Sequence, residues 1–114
     1  MKRYALLFIL LILWTLASEA QKVITVSYES QADIRVYAVK YESQCDLKVY
    51  FVDYASQADE DGKWYWVPYE SQADVKIYFV EYPSQADLKI YYVEYESQAG
   101  WRNPNKRHLL YIHR

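Results

Sequence analysis

The chain is dominated by a tandem repeat with a period of 13 residues. Each unit has the form Tyr-x-Ser-Gln-Ala-Asp-aliphatic-basic-aliphatic-Tyr-x-Val-x. Six units begin, at spacings of 13, 13, 15, 13 and 13 residues, at Tyr28, Tyr41, Tyr54, Tyr69, Tyr82 and Tyr95. Residues 22–27 match the second half of a unit, and a different tail follows Gly100. Such a chain is expected to fold by repeating one supersecondary unit.

The second half of each unit is typical of a β-strand. Residues 34–40 are rich in β-branched and aromatic side chains without Gly or Pro, and residues 47–53, 75–81 and 88–94 repeat this pattern. The Ser-Gln-Ala-Asp half favours a turn, because Ser and Asp side chains bond nearby backbone. Since 13 is odd, a continuous strand would reverse its faces in successive units, so the bend must reset them. The sequence predicts a small, single-domain all-β fold of strand–bend repeats.

The third unit differs from the others because it is two residues longer and contains Glu60, Asp61 and Gly62. An even insertion keeps the facing of the strands on both sides, so we interpret it as a widened turn or bulge. Nearly identical strands could pair in each other's place at little cost. We therefore hypothesise that residues 59–68 fix which strands pair.

Three all-β architectures fit this pattern. A β-solenoid would stack one coil per repeat, and a β-meander or barrel would join antiparallel strands through the bends. The third comes from a resemblance: the units at residues 41–52 and 82–93, and the ending Gly100-Trp101-Arg102-Asn103 with residues 106–110, closely resemble the septoil-knot domain family. The resemblance spans residues 22–112. It implies a small all-β domain whose backbone forms a seven-crossing torus knot, in a family without an assigned activity.

Residues 1–20 are typical of a secretory signal peptide. Lys2 and Arg3 precede an apolar stretch that is too short to span a membrane, and residues 18–20 have the small-x-small form of a cleavage site before Gln21. We expect residues 21–114 to be exported to a periplasm or the cell exterior. Removal of Lys2, Arg3 and Glu19 from the 13 basic and 15 acidic residues leaves 11 basic and 14 acidic, a balance that does not favour nucleic acid.

Alternation along the strands predicts the core. We expect buried side chains at Val36, Val49, Ile77 and Ile90, at Val39, Val52, Val67, Val80 and Val93, and at Trp64 in the third unit. Cys45 takes a position that other units fill with Ala, which indicates a small, closed slot. A single cysteine cannot form an internal disulfide.

A glutamine recurs in every bend, and its amide can satisfy backbone groups where the chain turns. We expect a structural role for Gln31, Gln44, Gln57, Gln72, Gln85 and Gln98. The repeated aspartates could suggest a cation site, but a Lys or Arg stands two positions later in most units on the same strand face. We therefore expect these charges to pair and predict neither a metal site nor a cofactor.

The variable position between Tyr and Val holds Ala38 and four aromatic residues, which are Phe51, Trp66, Phe79 and Tyr92. If they point outward, they form an aromatic strip that could stack on sugar rings or bind a peptide. If they point inward, they form a second layer packed against the tail. The tail, residues 100–114, is basic, and we expect it to be a solvated terminus or to contact anionic cell-surface polymers.

Catalysis has little support, because the only histidines, His108 and His113, lie in the tail and no Ser–His–carboxylate, metal-ligand or phosphate-loop spacing is found. We expect a monomeric, non-enzymatic structural or binding domain built for stability, which touches a membrane only through its leader. The alternatives are a module that uses the aromatic strip to bind a cell-surface glycan or a protein segment, and a hydrolase with an unrecognised site.

Export makes a direct prediction. N-terminal sequencing of the product from a cell that expresses the full chain should begin at Gln21, because the signal peptidase cuts after a small residue at that position. A membrane-bound product that retains residues 1–20 would contradict it.

Overall fold

A computed structural model describes residues 21–111 of the chain, so the predicted signal peptide lies outside the described residues. The described part is all-β, as predicted. Its strands are β1 (Lys22–Thr25), β2 (Ile34–Ala38), β3 (Leu47–Phe51), β4 (Lys63–Trp66), β5 (Val75–Phe79), β6 (Leu88–Tyr92) and β7 (Gly100–Trp101). A short helix, α1 (His108–Tyr111), follows them.

Strands β1 to β6 form a closed parallel barrel in the order β4-β1-β5-β2-β6-β3, with β3 paired back to β4. From β1 to β2 to β3 the chain skips one barrel position at each step, and β4 to β6 then fill the skipped positions. The chain thus makes two interleaved laps, with β1–β3 in the first and β4–β6 in the second. Parallel pairing excludes the antiparallel meander, and the interleaved laps differ from the stacked coils of a solenoid.

The barrel closes in the widened third unit. Strand β4 lies beside its predecessor β3, with Phe51 opposite Trp64, whereas other barrel neighbours are 43 or 52 residues apart. Gly62 makes this approach feasible, because its φ is +90° and its carbonyl accepts the Tyr50 N–H at 2.8 Å. The third unit is therefore where the first lap ends and the second begins.

The repeat aspartates join the two laps by a two-point contact, which we call the aspartate clamp. Asp33 donates its N–H to the Lys76 carbonyl (2.7 Å) and accepts the Lys76 N–H on Oδ2 (2.8 Å). The same pair of bonds links Asp46 to Lys89, Asp74 to Lys22, and Asp87 to Arg35. The carboxylates thus accept hydrogen bonds from the backbone of basic residues on neighbouring strands. The sequence had instead suggested that each aspartate pairs with the basic residue two positions later on its own strand.

The basic side chains have partners of two kinds. Arg35 contacts Asp87 across the strands (Nη2 to Oδ1, 3.0 Å) and Glu29 of its own unit (3.3 Å). Lys48 contacts Glu42, also six residues earlier, at 3.6 Å. In these two units the glutamate in the second position therefore neutralises the cation of its own strand.

In the third unit the clamp position belongs to Asp61 rather than Asp59, because Asp61 stands two residues before the basic residue of β4. Its carboxylate accepts Gln21 Nε2 (3.2 Å) and Trp101 Nε1 (2.7 Å), and lies 3.4 Å from Arg107 Nε. Asp59 contacts Lys63 instead. Asp61 thus ties the first strand and the tail to the closure of the barrel.

The predicted core is largely confirmed. Trp64 and the inward residues of the barrel strands Val36, Val49, Ile77 and Ile90 are fully buried, and Cys45 is buried as expected. Val39, Val52 and Val67 are buried, whereas Val80 and Val93 are only partly buried. The aliphatic residues that open four of the strands, Ile34, Leu47, Val75 and Leu88, add to this core.

The strands are shorter than predicted, with five residues in place of seven. Val39 still donates its N–H to Ile90 O at 2.8 Å, but the chain then leaves the ladder. Each bend forms one 3₁₀ turn, and these turns are Glu29–Gln31, Glu42–Gln44, Ala55–Gln57, Glu70–Gln72, Pro83–Gln85, Glu96–Gln98 and, in the tail, Pro104–Lys106.

The tail is not the solvated terminus that its charge suggested. Strand β7 pairs antiparallel with β3, and the Arg102 and Asn103 N–H groups both donate to Asp46 O at 2.9 Å. Lys106 Nζ donates to Asp87 O at 3.0 Å, and Leu110 is fully buried in the core. These contacts lie beside the amino ends of the barrel strands, so the tail covers that end. His113 and Arg114 lie outside the described residues.

The closure predicts a large cost for a methyl group at Gly62. A Cβ there would lie 2.5 Å from Lys48 O and 2.7 Å from Gly100 N, in a left-handed conformation. Gly62→Ala should lower the free energy of unfolding by about 3–5 kcal/mol. Gly100→Ala is the matched control, since its φ is +144° but its Cβ would meet nothing within 4 Å; it should cost only about 1–2 kcal/mol. Equal losses in denaturant titrations of the two variants would contradict the closure argument.

The aspartate clamps predict an acid-sensitive stability. Hydrogen bonds from the Arg35 side chain, supported by its backbone N–H and charge, hold the pKa of Asp87 below its ordinary value. The contribution of Asp87 to the free energy of unfolding is therefore complete above pH about 4 and is lost as the pH falls through the lowered pKa. The difference in unfolding free energy between wild type and Asp87→Asn should narrow below pH 4. A gap for Asp87→Asn that is constant with pH would contradict the clamp.

Candidate functional site

The carboxyl ends of the six barrel strands form a mouth that the tail does not cover. Because the strands are parallel, their last residues lie at the same end of the barrel. Each last residue points to the same side of its strand as the buried residue two positions earlier. In order around the barrel these residues are Trp66, Thr25, Phe79, Ala38, Tyr92 and Phe51. None of them is charged, so the mouth offers an apolar, partly aromatic surface.

Three of the four predicted strip residues contact one another. Phe51 stacks on Trp66 with ring centroids 5.1 Å apart and planes at 21°, and it lies 5.2 Å from Tyr92 at a tilt of 39°. Phe51 also meets the buried Trp64 edge to face at 6.4 Å, and it packs on the core. Phe79 stands apart, between the small residues Thr25 and Ala38.

The mouth is neither buried nor fully open. Trp66 and Phe79 are 37 % exposed and Tyr92 is 43 % exposed, whereas Phe51 is held beneath its neighbours. Partial burial raises the pKa of the Tyr92 hydroxyl. The expected strip is therefore an inward-facing cap whose outer rings remain accessible. Its supporting layer is the barrel core and not the tail, which lies at the opposite end.

The bend glutamines do not contribute to the mouth. All six are exposed on the outside of the barrel. The Oε1 atoms of Gln57, Gln85 and Gln98 accept the N–H of the tyrosine that opens their own unit, at 3.1–3.3 Å. In these three bends the amide fixes the entry of the chain into the 3₁₀ turn.

The tyrosines that open the units are a surface feature that sequence reasoning missed. Each precedes its 3₁₀ turn in an extended conformation and leaves the ring 57–68 % exposed, and together they are Tyr28, Tyr41, Tyr54, Tyr69, Tyr82 and Tyr95. The signal was present, because a tyrosine followed at once by a polar turn leaves no strand face for its ring. The result is a set of aromatic rings around the outer surface.

The residues with other chemistry are dispersed. Burial raises the pKa of the Cys45 thiol, which favours the unreactive protonated form. His108 Nδ1 lies 3.1 Å from Asn105 O. Within residues 21–111, no three His, Cys, Asp or Glu side chains gather where they could hold a metal ion. No helix in that same range is long and apolar enough to cross a membrane.

The comparisons with known proteins address the fold. Searches of curated proteins and of solved structures give no significant match. A family model described as the 7(1) septoil knot domain matches residues 20–102, which include all seven strands. With the two interleaved laps of its barrel, the chain belongs to the septoil-knot domain family.

Proposed function

We propose that this chain is an exported, non-enzymatic binding domain in which the knotted barrel is a rigid frame and the aromatic mouth contacts the ligand. The observation that carries the proposal is the stack of Phe51 with Trp66 and Tyr92. Phe51 packs against the core on one side, so the outer rings are held in place before any ligand arrives. A preformed surface costs little ordering entropy on binding.

A neutral saccharide is the ligand that suits this mouth best. Aromatic rings with partly exposed faces stack on the apolar face of a pyranose ring. The six strand ends contribute no charge, which disfavours an ionic ligand at this surface. A peptide segment is the competing occupant, and it would be expected to engage unpaired backbone groups, which a closed barrel does not offer along its strands.

Absence of catalysis remains part of the proposal. It is supported by the use of the carboxylates, since the clamp aspartates are occupied by backbone N–H groups and Asp61 by an amide, an indole and a guanidinium. His108 is placed on a backbone carbonyl rather than beside a nucleophile. A hydrolase would need a base within hydrogen-bond reach of a hydroxyl or thiol.

The proposal predicts loss of saccharide binding on truncation of the mouth. Protein purified after expression of the full chain should bind neutral oligosaccharides on an array. Trp66→Ala should weaken that binding on the order of tenfold, because the loss of about one aromatic stacking contact reduces the binding free energy by a corresponding amount. Tyr28→Ala is the control, because this ring is 68 % exposed on the outer surface. Both variants should keep the thermal unfolding temperature within a few degrees. Unchanged binding in Trp66→Ala, or binding to peptides alone, would contradict the proposal.

A further inference from the structure

The outer surface carries a basic groove that is distinct from the mouth. It has a volume of about 540 Å³ and lies over the β2–β6 pair, where Tyr37 is opposite Lys89. We call it the Lys40–Lys89 groove, and its walls are Tyr37, Lys40, Tyr41, Gln44, Pro83 and Lys89. Its volume lies within the range of small-ligand sites.

The repeat supplies an internal comparison. The β6–β3 pair places Tyr91 opposite Lys48, and the equivalent groove there is smaller, about 240 Å³. Tyr91, Tyr95 and Gln98 stand where the Lys40–Lys89 groove has Tyr37, Tyr41 and Gln44. Two positions differ in charge: Glu94 stands in place of Lys40, and Glu42 in place of Pro83.

These two differences leave the Lys40–Lys89 groove without a carboxylate. Glu42 contacts Lys48 at 3.6 Å, as Glu29 contacts Arg35 at 3.3 Å, each six residues before its cation. The residue six before Lys89 is Pro83, and no ion pair of Lys89 or Lys40 forms among residues 21–111. Two ammonium groups therefore line one concave site on a protein whose net charge is −2.

The other walls indicate what the anion is attached to. Tyr41 presents an aromatic ring that is 66 % exposed, and Tyr37 lies partly buried beside it. Gln98 uses its amide oxygen on the Tyr95 N–H, but Gln44 makes no such contact in the described part of the chain, so its amide is free for hydroxyl groups. Aromatic rings, a free amide and ammonium groups are the partners that a pyranose, its hydroxyls and a carboxylate require.

We infer that the Lys40–Lys89 groove binds an acidic saccharide, a pyranose that bears a carboxylate, through its two lysines, Gln44 and the two tyrosines. Acidic saccharides would enter because neither lysine has a carboxylate partner among residues 21–111, whereas Arg35 and Lys48 are each paired with the glutamate six residues earlier. This inference does not depend on the aromatic mouth, which lies at the carboxyl ends of the strands.

The test uses a trimer of galacturonic acid, its neutral methyl ester and a hexaglutamate peptide, measured by calorimetry with protein from expression of the full chain. In the Trp66→Ala background, which removes the contribution of the mouth, the acid trimer should bind at least tenfold more tightly than the ester, and binding should weaken with added salt. Pro83→Glu introduces the residue that four other units carry at this position, and it should weaken binding of the acid trimer at least tenfold.

Three further variants make the result decisive. Ala55→Glu adds the same charge at the same position of the third unit's bend and should leave the affinity within twofold. Lys40→Glu copies Glu94 and should lose binding even if Pro83→Glu fails to fold. Trp66→Ala should leave binding unchanged, which separates this groove from the mouth. Four results would overturn the inference. These are no binding of the acid trimer at millimolar concentration, equal binding of the ester, equal or tighter binding of the peptide, and full affinity in Lys40→Glu.

Discussion

The structure depends on pairing between strands that are far apart in the sequence. Each of the six barrel strands has both of its neighbours in the other lap of the chain, and even the sequential pair β3–β4 joins the end of one lap to the start of the next. The aspartate clamps follow the same rule, since all four connect residues 43 or 52 positions apart. Neither lap can form a sheet alone, so the fold must gain its hydrogen bonds and its core together. Contacts of this range carry a high cost in loop closure and imply slow folding.

Much of the local structure could be predicted from the sequence. The odd period required a bend that resets the strand faces, and the structure has a 3₁₀ turn at each such place. Inward positions such as Val36 and Ile90 followed from alternation. The parallel direction of the strands did not follow, because connections as short as residues 39–46 usually join antiparallel strands. A knotted backbone was expected only from the family resemblance, and the interleaved order of the strands was not predicted, since periodicity specifies a unit and not which copies pair.

The candidate sites were predicted less well, for a related reason. The aromatic residues at positions such as Phe51 and Trp66 were recognised, but whether they formed an outward strip or an inward layer depended on strand order. The charge of the Lys40–Lys89 groove depends on residues of the first and fifth units, and only the fold makes Lys40 and Pro83 neighbours. The role of the tail was missed because its basic residues suggested solvent exposure, while the buried Leu110 gave no signal from a single position.

The repeat and its departures serve different purposes in this molecule. Residues that most units share, such as the four clamp aspartates and the bend glutamines Gln57, Gln85 and Gln98, satisfy backbone groups, and changing one copy alone would weaken a frame that the copies build together. Departures at exposed positions such as Pro83 cost the frame little, whereas Gly62 is buried and Ala38 packs on the core. They occur at the places that distinguish one part of the barrel from another: Gly62 at the closure, Ala38 beside Phe79 at the mouth, and Pro83 in the basic groove. A quasi-symmetric barrel would otherwise present equivalent surfaces on its different sides, so any chemical difference between those sides must come from the residues that break the repeat.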